Sequence, residues 1–287
     1  MKLNPSGLNI HVEKTSIPIG GRKIPLLILT PKERKENVPR VLWIHGGGYM
    51  LGMKEMVYMS RAVDLVEKYG AVVVALDYRL SWKAPYPAAI EDCYAALLYL
   101  KNHAAQWRIN PSQIMVGGES AGGGLTASLC MMARDKGEVN IAYQMPLYPM
   151  IDNFDTETSR NNHAKVWNTK RNHIGWKLYL RSDAEKEVSP YAAAARQTDY
   201  HGLPPAYTFV GTAEPFYAET LTFVENLKKA KVEAEVDVYE GMYHAFDMLK
   251  PKLRESMAAV ERFNRHFEYA MENYFCPQES AKEPNID

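Results

Sequence analysis

A chain of 287 residues with 46% hydrophobic composition is long enough for one large α/β core with a small accessory region. Lys+Arg and Asp+Glu both number 34, so a formal net charge of +0 leaves no basic face for nucleic acid or for an anionic membrane. The odd, widely spaced cysteines Cys93, Cys130 and Cys276 argue against a disulfide framework or a zinc site, and for a reducing, cytoplasmic compartment.

Met1 to Asn9 has no basic start followed by an apolar stretch, so no signal peptide is expected. Leu8 to Ile19 alternates loosely, Gly20-Gly21 is a hairpin turn signal, and Lys23 to Leu29 reads as the returning strand. Thr30 to Arg40 reads as a charged, proline-bounded loop. Val41 to Ile44 is a buried strand that ends at His45-Gly46-Gly47-Gly48-Tyr49. Glu55 to Tyr69 predicts a helix closed by Gly70. Ala71 to Leu76 is an unbroken apolar run, as for a strand covered on both faces, and is far too short to span a bilayer. Pro85 and Pro87 delimit a loop, and Ala88 to Ala105 reads as helix. Ile114 to Val116 is a short strand, Leu125 to Arg134 a helix stopped by Gly137, and Ile141 to Leu147 another strand. Cys93 and Cys130 fall inside helical patterns and read as small buried apolar residues.

From Asp152 to Leu203 the pattern breaks. Asp155 to Lys170 is polar and Gly175 to Arg181 is a short aromatic helical stretch, so residues 152–203 are expected to form a cap inserted over the sheet edge. Regular order returns at Ala206 to Val210 (strand), Pro215 to Ala230 (helix), Val232 to Tyr239 (strand) and Pro251 to Phe275 (helix). The last helix carries Phe263, Phe267, Met271 and Tyr274 on one stripe. Residues 277–287 form a polar tail expected to be disordered. Alternation at this spacing predicts one α/β domain over 1–287, with a mostly parallel sheet and helices on both faces. In such sheets ligands bind beyond the carboxyl ends of the strands, where both glycine-rich stretches lie.

Gly117-Gly118-Glu119-Ser120-Ala121-Gly122-Gly123-Gly124 sits between a strand and a helix, and contains G-x-S-x-G in the context that gives that pattern meaning. Glycines beside a serine on a sharp strand-to-helix turn leave room for the two elements to pass. The helix start directs free N–H groups and the positive end of its dipole toward the serine. No Lys follows the glycines, so a G-x-x-x-x-G-K-[ST] phosphate loop is excluded, and the G-x-G-x-x-G register is missing. The motif by itself leaves open a nucleophile elbow, another phosphate-binding turn or a tight packing corner.

A serine hydroxyl needs a base to take its proton and a third group to orient that base. His244 lies in a loop just after the strand Val232 to Tyr239, at the same end of the sheet as Ser120. His45 also ends a strand, but the glycines after it favour a structural ring. His103, His163, His173, His201 and His266 sit in helical or polar contexts of surface or packing type. For the acid, Glu214 runs off a strand end before Pro215, although a carboxylate that only favours a helix N-terminus would look the same. Glu219 lies one helical turn further and points elsewhere, and Asp237 shares a solvated strand face with Glu233 and Glu235. Acyl transfer also needs donors for a tetrahedral oxyanion, and the triple glycine lets main chain come close. The amides of Gly47, Gly48 and Ala121 are assigned that part.

Together, His45-Gly46-Gly47-Gly48-Tyr49, Asp77-Tyr78-Arg79-Leu80, Gly118-Glu119-Ser120-Ala121-Gly122-Gly123, Gly202-Leu203-Pro204-Pro205-Ala206, Gly211-Thr212-Ala213-Glu214-Pro215 and Tyr239-Glu240-Gly241-Met242-Tyr243-His244-Ala245-Phe246 resemble the hormone-sensitive-lipase-like esterase family of α/β-hydrolases. The resemblance runs over about residues 8 to 275 in the right order. It implies the α/β-hydrolase fold and hydrolysis of small-molecule carboxylic esters by Ser120, Glu214 and His244, without cofactor or metal. It also implies a pocket lined by Tyr49 and Met50, short acyl chains, and a homodimer formed through the last strand and helix. The family usually has Asp where this chain has Glu214, and many members begin with a helical cap segment that is nearly absent here. Amide or lactone hydrolysis is the alternative within enzymes. A non-catalytic receptor on the same fold, as in plant gibberellin receptors, is the alternative outside them.

Overall fold

The computed structural model describes residues 5–33, 36–103, 109–181 and 187–278. Strands β1 (Ile10–Ile19) and β2 (Arg22–Pro31) form an antiparallel hairpin, and Gly20 and Gly21 supply the positive φ of its turn. The remaining strands are β3 (Val38–Ile44), β4 (Val72–Leu76), β5 (Ile109–Glu119), β6 (Tyr143–Leu147), β7 (Ala206–Gly211) and β8 (Ala234–Tyr239). They join in the order β1-β2-β4-β3-β5-β6-β7-β8. β2 is antiparallel to β4, and every neighbouring pair from β4 through β8 is parallel.

The helices are α1 (Ala62–Tyr69), α2 (Ala88–Asn102), α3 (Ala121–Lys136), α4 (Thr169–Leu180), α5 (Tyr217–Lys229), α6 (Phe246–Leu249) and α7 (Arg254–Asn273). Alternate residues of the central strands feed two cores. Leu42 and Ile44 of β3, with Val72, Val74 and Leu76 of β4, pack with Ile90 and Leu97 of α2, Leu125 and Leu129 of α3, and Phe223 of α5. Val41 and Trp43, with Val73 and Ala75, pack on the other face with Leu65 and Val66 of α1 and with Phe263 and Phe267 of α7. Burial on both faces is why these strands read as continuous apolar runs rather than alternating ones. Met271 and Tyr274, the rest of the α7 stripe, pack half-buried on that second core.

Several boundaries differ from the sequence expectation, each for a local reason. The helix expected over Glu55 to Tyr69 is a 3-10 turn (Lys54–Met59) followed by α1. Ser60 is extended, and its hydroxyl donates to the Val57 carbonyl while accepting from the Ala62 N–H, so it closes one turn and opens the next. The charged loop expected to Arg40 ends at Val38, where β3 begins. Arg40 is fully buried, and its guanidinium donates to the carbonyls of Leu100 (3.1 Å), Lys101 (3.4 Å) and Pro111 (3.1 Å). Burial pulls its pKa down to about 10, and two of those carbonyls belong to the C-terminal turn of α2, where a cation is favoured.

α3 begins at Ala121, not near Leu125, so Gly122 to Gly124 are helical. α4 starts earlier than the aromatic stretch suggested because the Asn168 side chain accepts from the Arg171 N–H and caps it. Within 152–203 the described elements are α4 and a short 3-10 turn, Ala194–Arg196. The last residues of the helix expected to Ala105, and residues 279–287 of the expected tail, lie outside the described residues. Pro277 and Gln278 are held by Asn140, whose side-chain amide donates to the Pro277 carbonyl (2.6 Å) and whose N–H donates to Gln278 Oε1 (2.9 Å). Cys93 and Cys130 are buried and Cys276 partly so, all as free thiols. Among the described residues no helix is long and apolar enough to cross a membrane.

Phe263 is fully buried and meets Trp43 edge-on, with ring centroids 6.1 Å apart. Phe263→Ala is expected to cost about 3–5 kcal/mol in urea unfolding. A loss below about 1 kcal/mol would mean that α7 is not anchored to the sheet through this ring.

Candidate active site

Parallel pairing brings the carboxyl ends of β3, β5, β7 and β8 to one edge, with Ile44 opposite Gly118 and Gly211 opposite Tyr239. Ser120 stands between the end of β5 and the start of α3 with φ 58° and ψ −120°. A non-glycine residue there costs on the order of 1–3 kcal/mol, so its neighbours must hold it. The Ser120 N–H donates to the Leu147 carbonyl (3.0 Å), and its carbonyl accepts from the N–H groups of Gly124 (2.9 Å) and Met150 (3.0 Å). A Cβ at Gly118 would lie 2.4 Å from the Ile44 carbonyl oxygen, and one at Gly122 only 2.0 Å from it. The two glycines flanking the serine are required by that close approach.

His244 follows β8 and places Nε2 2.9 Å from Ser120 Oγ. Its Nδ1 is 2.5 Å from Glu214 Oε2, while Glu214 Oε1 accepts from the Gly211 N–H (3.1 Å). Ser120, His244 and Glu214 are 6%, 4% and 0% exposed. A carboxylate only accepts, so the His244 proton sits on Nδ1 and Nε2 is left to accept from the Ser120 hydroxyl. The strand-end loops that carry Glu214 and His244 are joined by backbone, through Ala213 N–H to the Met242 carbonyl (3.0 Å) and Thr212 N–H to the Tyr239 carbonyl (3.1 Å). Tyr148 and Phe216 pack edge-on to the imidazole, with centroids 5.1 and 5.0 Å away.

The other residues weighed for these parts lie elsewhere. His45 stacks on Tyr78 (4.2 Å), sits 2.8 Å from the Gly46 carbonyl, and is pushed by burial down to about 4. His173 bonds Asp155 and His201 bonds Asp199, both exposed, His163 is exposed between β6 and α4, His103 stacks on Tyr99, and His266 stacks on Tyr207. Glu219 accepts from the N–H groups of Ile151 and Asp152, and Asp237 from Tyr207 and Arg262.

Gly47, Gly48 and Tyr49 all have positive φ, at 120°, 59° and 62°. The loop presses on the serine turn: a Cβ at Gly46 would lie 3.2 Å from the Ser120 Cβ. One at Gly48 would meet the Trp167 ring at 2.1 Å. Ala121 is the first residue of α3, so helix geometry gives its N–H no intrahelical acceptor. Tyr49 is only 1% exposed. Its ring stacks on Tyr179 (4.1 Å) and its hydroxyl donates to the Met150 carbonyl (2.6 Å), which makes it a tie between two loops rather than an open wall. Met50 is half-buried beside it. Among the described residues no group of three or more His, Cys, Asp or Glu is placed to hold a metal ion.

In the sequence, Glu119 is only the variable position of the G-x-S-x-G motif. Its carboxyl is buried behind Ser120, with Trp43 Nε1 3.0 Å from both oxygens. Asp247, also buried, accepts from the Tyr148 hydroxyl (3.1 Å) and faces Arg61 (3.4 Å). Burial first, then the Asp247 charge, pushes Glu119 up to about 8. The available signal was a charged residue between two glycines inside an apolar strand-to-helix junction.

Residues 41–248 match a family model described as alpha/beta hydrolase fold. The chain is 32% identical over 270 residues to the carboxylesterase NlhH of Mycobacterium tuberculosis, covering 88% of this chain and 83% of that protein. It is 29% identical over 213 residues to the acetyl esterase of Salmonella typhi, covering 71% of this chain and 64% of that protein. A solved bacterial heroin esterase superposes with a TM-score of 0.87 at 31% identity, covering 94% of this chain and 86% of that one.

Glu119 stays protonated in the folded protein up to about pH 8 but ionises near 4.5 when unfolded, so it lowers stability as pH rises through that window. Glu119→Gln keeps an acceptor for Trp43 and removes that penalty. It should raise stability at pH 8 by on the order of 4 kcal/mol and change it little at pH 4.5. Urea midpoints at the two pH values decide this, and equal effects at both would sink it.

Proposed function

The chain belongs to the hormone-sensitive-lipase-like family of α/β-hydrolases, and on that premise we propose that it is a serine carboxylesterase acting on acetyl and other short-chain acyl esters through an acyl-enzyme. The observation that carries the reading is the unbroken hydrogen-bonded line from Ser120 Oγ through His244 to Glu214. Nε2 takes the Ser120 proton as Oγ attacks the ester carbonyl, and the imidazolium is held by Glu214. The amides of Gly47, Gly48 and Ala121 receive the oxyanion, and typical losses on removing one such donor are about 10²–10³ in rate. His244 then protonates the leaving alcohol. A water that gives its proton to Nε2 releases the acid and restores Ser120.

Two features favour short acyl groups, acetyl to roughly hexanoyl. Trp167 lies directly against Gly48, with its ring centroid 6.4 Å from that of His244, and we read it as the residue that limits acyl length. One relative is named an acetyl esterase. We read residues 152–203 as the cap that supplies Trp167. β8 is one of the two edges of the sheet, and with α7 it is the surface through which we infer a homodimer.

Hydrolysis of p-nitrophenyl esters from acetate to decanoate tests the reading, with rates expected to peak at the short end. Ser120→Ala should lose at least about a thousandfold in kcat, and Glu214→Gln about a thousand- to ten-thousandfold. Turnover that survives Ser120→Ala, or that peaks at decanoate, overturns it. A folded protein inert to every ester and to a fluorophosphonate would be a receptor instead.

A further inference from the structure

His244 is held at both ring nitrogens, by Glu214 at Nδ1 and by Ser120 at Nε2. Two hydrogen bonds on opposite sides of a ring still leave it free to turn about the line that joins them. Tyr148 and Phe216 oppose that turn, standing at 80° and 84° to the imidazole with centroids 5.1 and 5.0 Å away. The loop that carries the ring also needs holding. Ala245, the next residue, is left-handed at φ 58° and ψ 30°, which costs a non-glycine residue about 1–2 kcal/mol.

Tyr148 and Asp247 join these two requirements. Asp247 lies in α6, three residues after His244, and is fully buried. Its Oδ1 accepts from the Tyr148 hydroxyl (3.1 Å), and its Oδ2 faces Arg61 Nε (3.4 Å). The Tyr148 backbone is fixed separately, since its N–H donates to the Phe209 carbonyl (3.1 Å). The contacts therefore close on themselves. They run along the chain from His244 to Asp247, across to the Tyr148 hydroxyl, and back through the phenol ring to the imidazole.

From this closed path we propose that Asp247 and Tyr148 are positioning residues, a clasp that keeps the His244 ring in line with Ser120. Neither takes part in the proton transfers. Asp247 acts through Tyr148 and the loop, and Tyr148 acts through its ring. The clasp needs an oxygen rather than a charge. A carboxyl keeps an accepting oxygen with or without its proton, and a carboxamide keeps one too. Phenylalanine at 148 would keep the ring and lose the tie. The expected loss of turnover rests on the esterase reading, whereas the hold on the ring can be read without it.

The test compares Asp247→Ala, Asp247→Asn, Tyr148→Phe and the double variant Asp247→Ala/Tyr148→Phe, with p-nitrophenyl acetate as substrate and active sites counted with a fluorophosphonate. Asp247→Ala and Tyr148→Phe should each lower kcat about ten- to hundredfold and leave KM within about twofold, because a misplacement of about 1 Å costs up to about a hundredfold. Asp247→Asn should stay within about threefold of the native protein, and the double variant should be no worse than the poorer single one. Tyr148→Phe removes one oxygen atom and leaves Asp247 with Arg61, which covers the case of an Ala variant that does not fold. The reading without turnover is the downfield NMR resonance of the His244 Nδ1 proton, assigned by its loss in His244→Ala. It should be sharp in the native protein and in Asp247→Asn, and broadened or lost in Asp247→Ala and Tyr148→Phe. That pattern in a protein inert to esters would sink the esterase reading and leave the clasp standing. An unchanged kcat in folded Tyr148→Phe, additive losses in the double variant, an Asn variant no better than Ala, or a resonance equally sharp in every variant or missing from the native protein overturns the proposal.

Discussion

Ser120 occupies a backbone conformation that a side chain normally avoids, and the rest of the site follows from holding it there. Three backbone hydrogen bonds from separate segments do so: Leu147 at the end of β6, Met150 just after it, and Gly124 in the first turn of α3. Each requires main chain to come closer than a Cβ would allow. A methyl group on Gly122 would strike the Ile44 carbonyl, and one on Gly124 would lie 2.1 Å from the Met150 carbonyl. Glycine is a poor helix former, costing about 1 kcal/mol per residue relative to Ala. α3 is a helix despite three of them because every residue from Ala121 to Ala133 is buried. Packing, not propensity, makes its first turn.

The Met150 peptide is where the parts of the site meet. Its N–H serves Ser120, its carbonyl accepts from Tyr49 of the glycine loop, and the next two N–H groups are held by Glu219 of α5. Glycine loop, serine turn and α5 thus share one short segment after β6. A displacement of any of them is resisted by the others, and such support lets a catalytic geometry persist to within a fraction of an ångström. Trp167 rests against Gly48 from the stretch between β6 and β7.

Three buried ionisable side chains are answered by partners remote in the chain. Arg40 finds carbonyls at the end of α2 and in β5, Asp92 is met by Arg79 and Arg22, and Glu119 is met by Trp43. Arg79 comes from 13 residues away in the chain, and every other partner named from 60 or more. Such pairs leave no local mark, which is why the sequence pattern places Arg40 in a charged, proline-bounded loop and Glu119 at the variable position of the motif.

What the sequence determined by itself was whatever local stereochemistry encodes. The order of strands and helices, the hairpin at Gly20-Gly21 and the helix stops at Gly70 and Gly137 were legible because periodicity and positive φ belong to a few adjacent residues. Strand ends in a parallel sheet lie on one edge, so the residue pattern already marked Ser120, Glu214 and His244 as neighbours. Tertiary structure alone decided the rest. It broke the Glu55 to Tyr69 helix at Ser60, drew Gly122 to Gly124 into α3, turned Tyr49 inward to tie two loops, and buried Glu119 and Glu219. Those outcomes depend on distances between atoms remote in the chain, and packing fixes such distances only once the sheet is assembled.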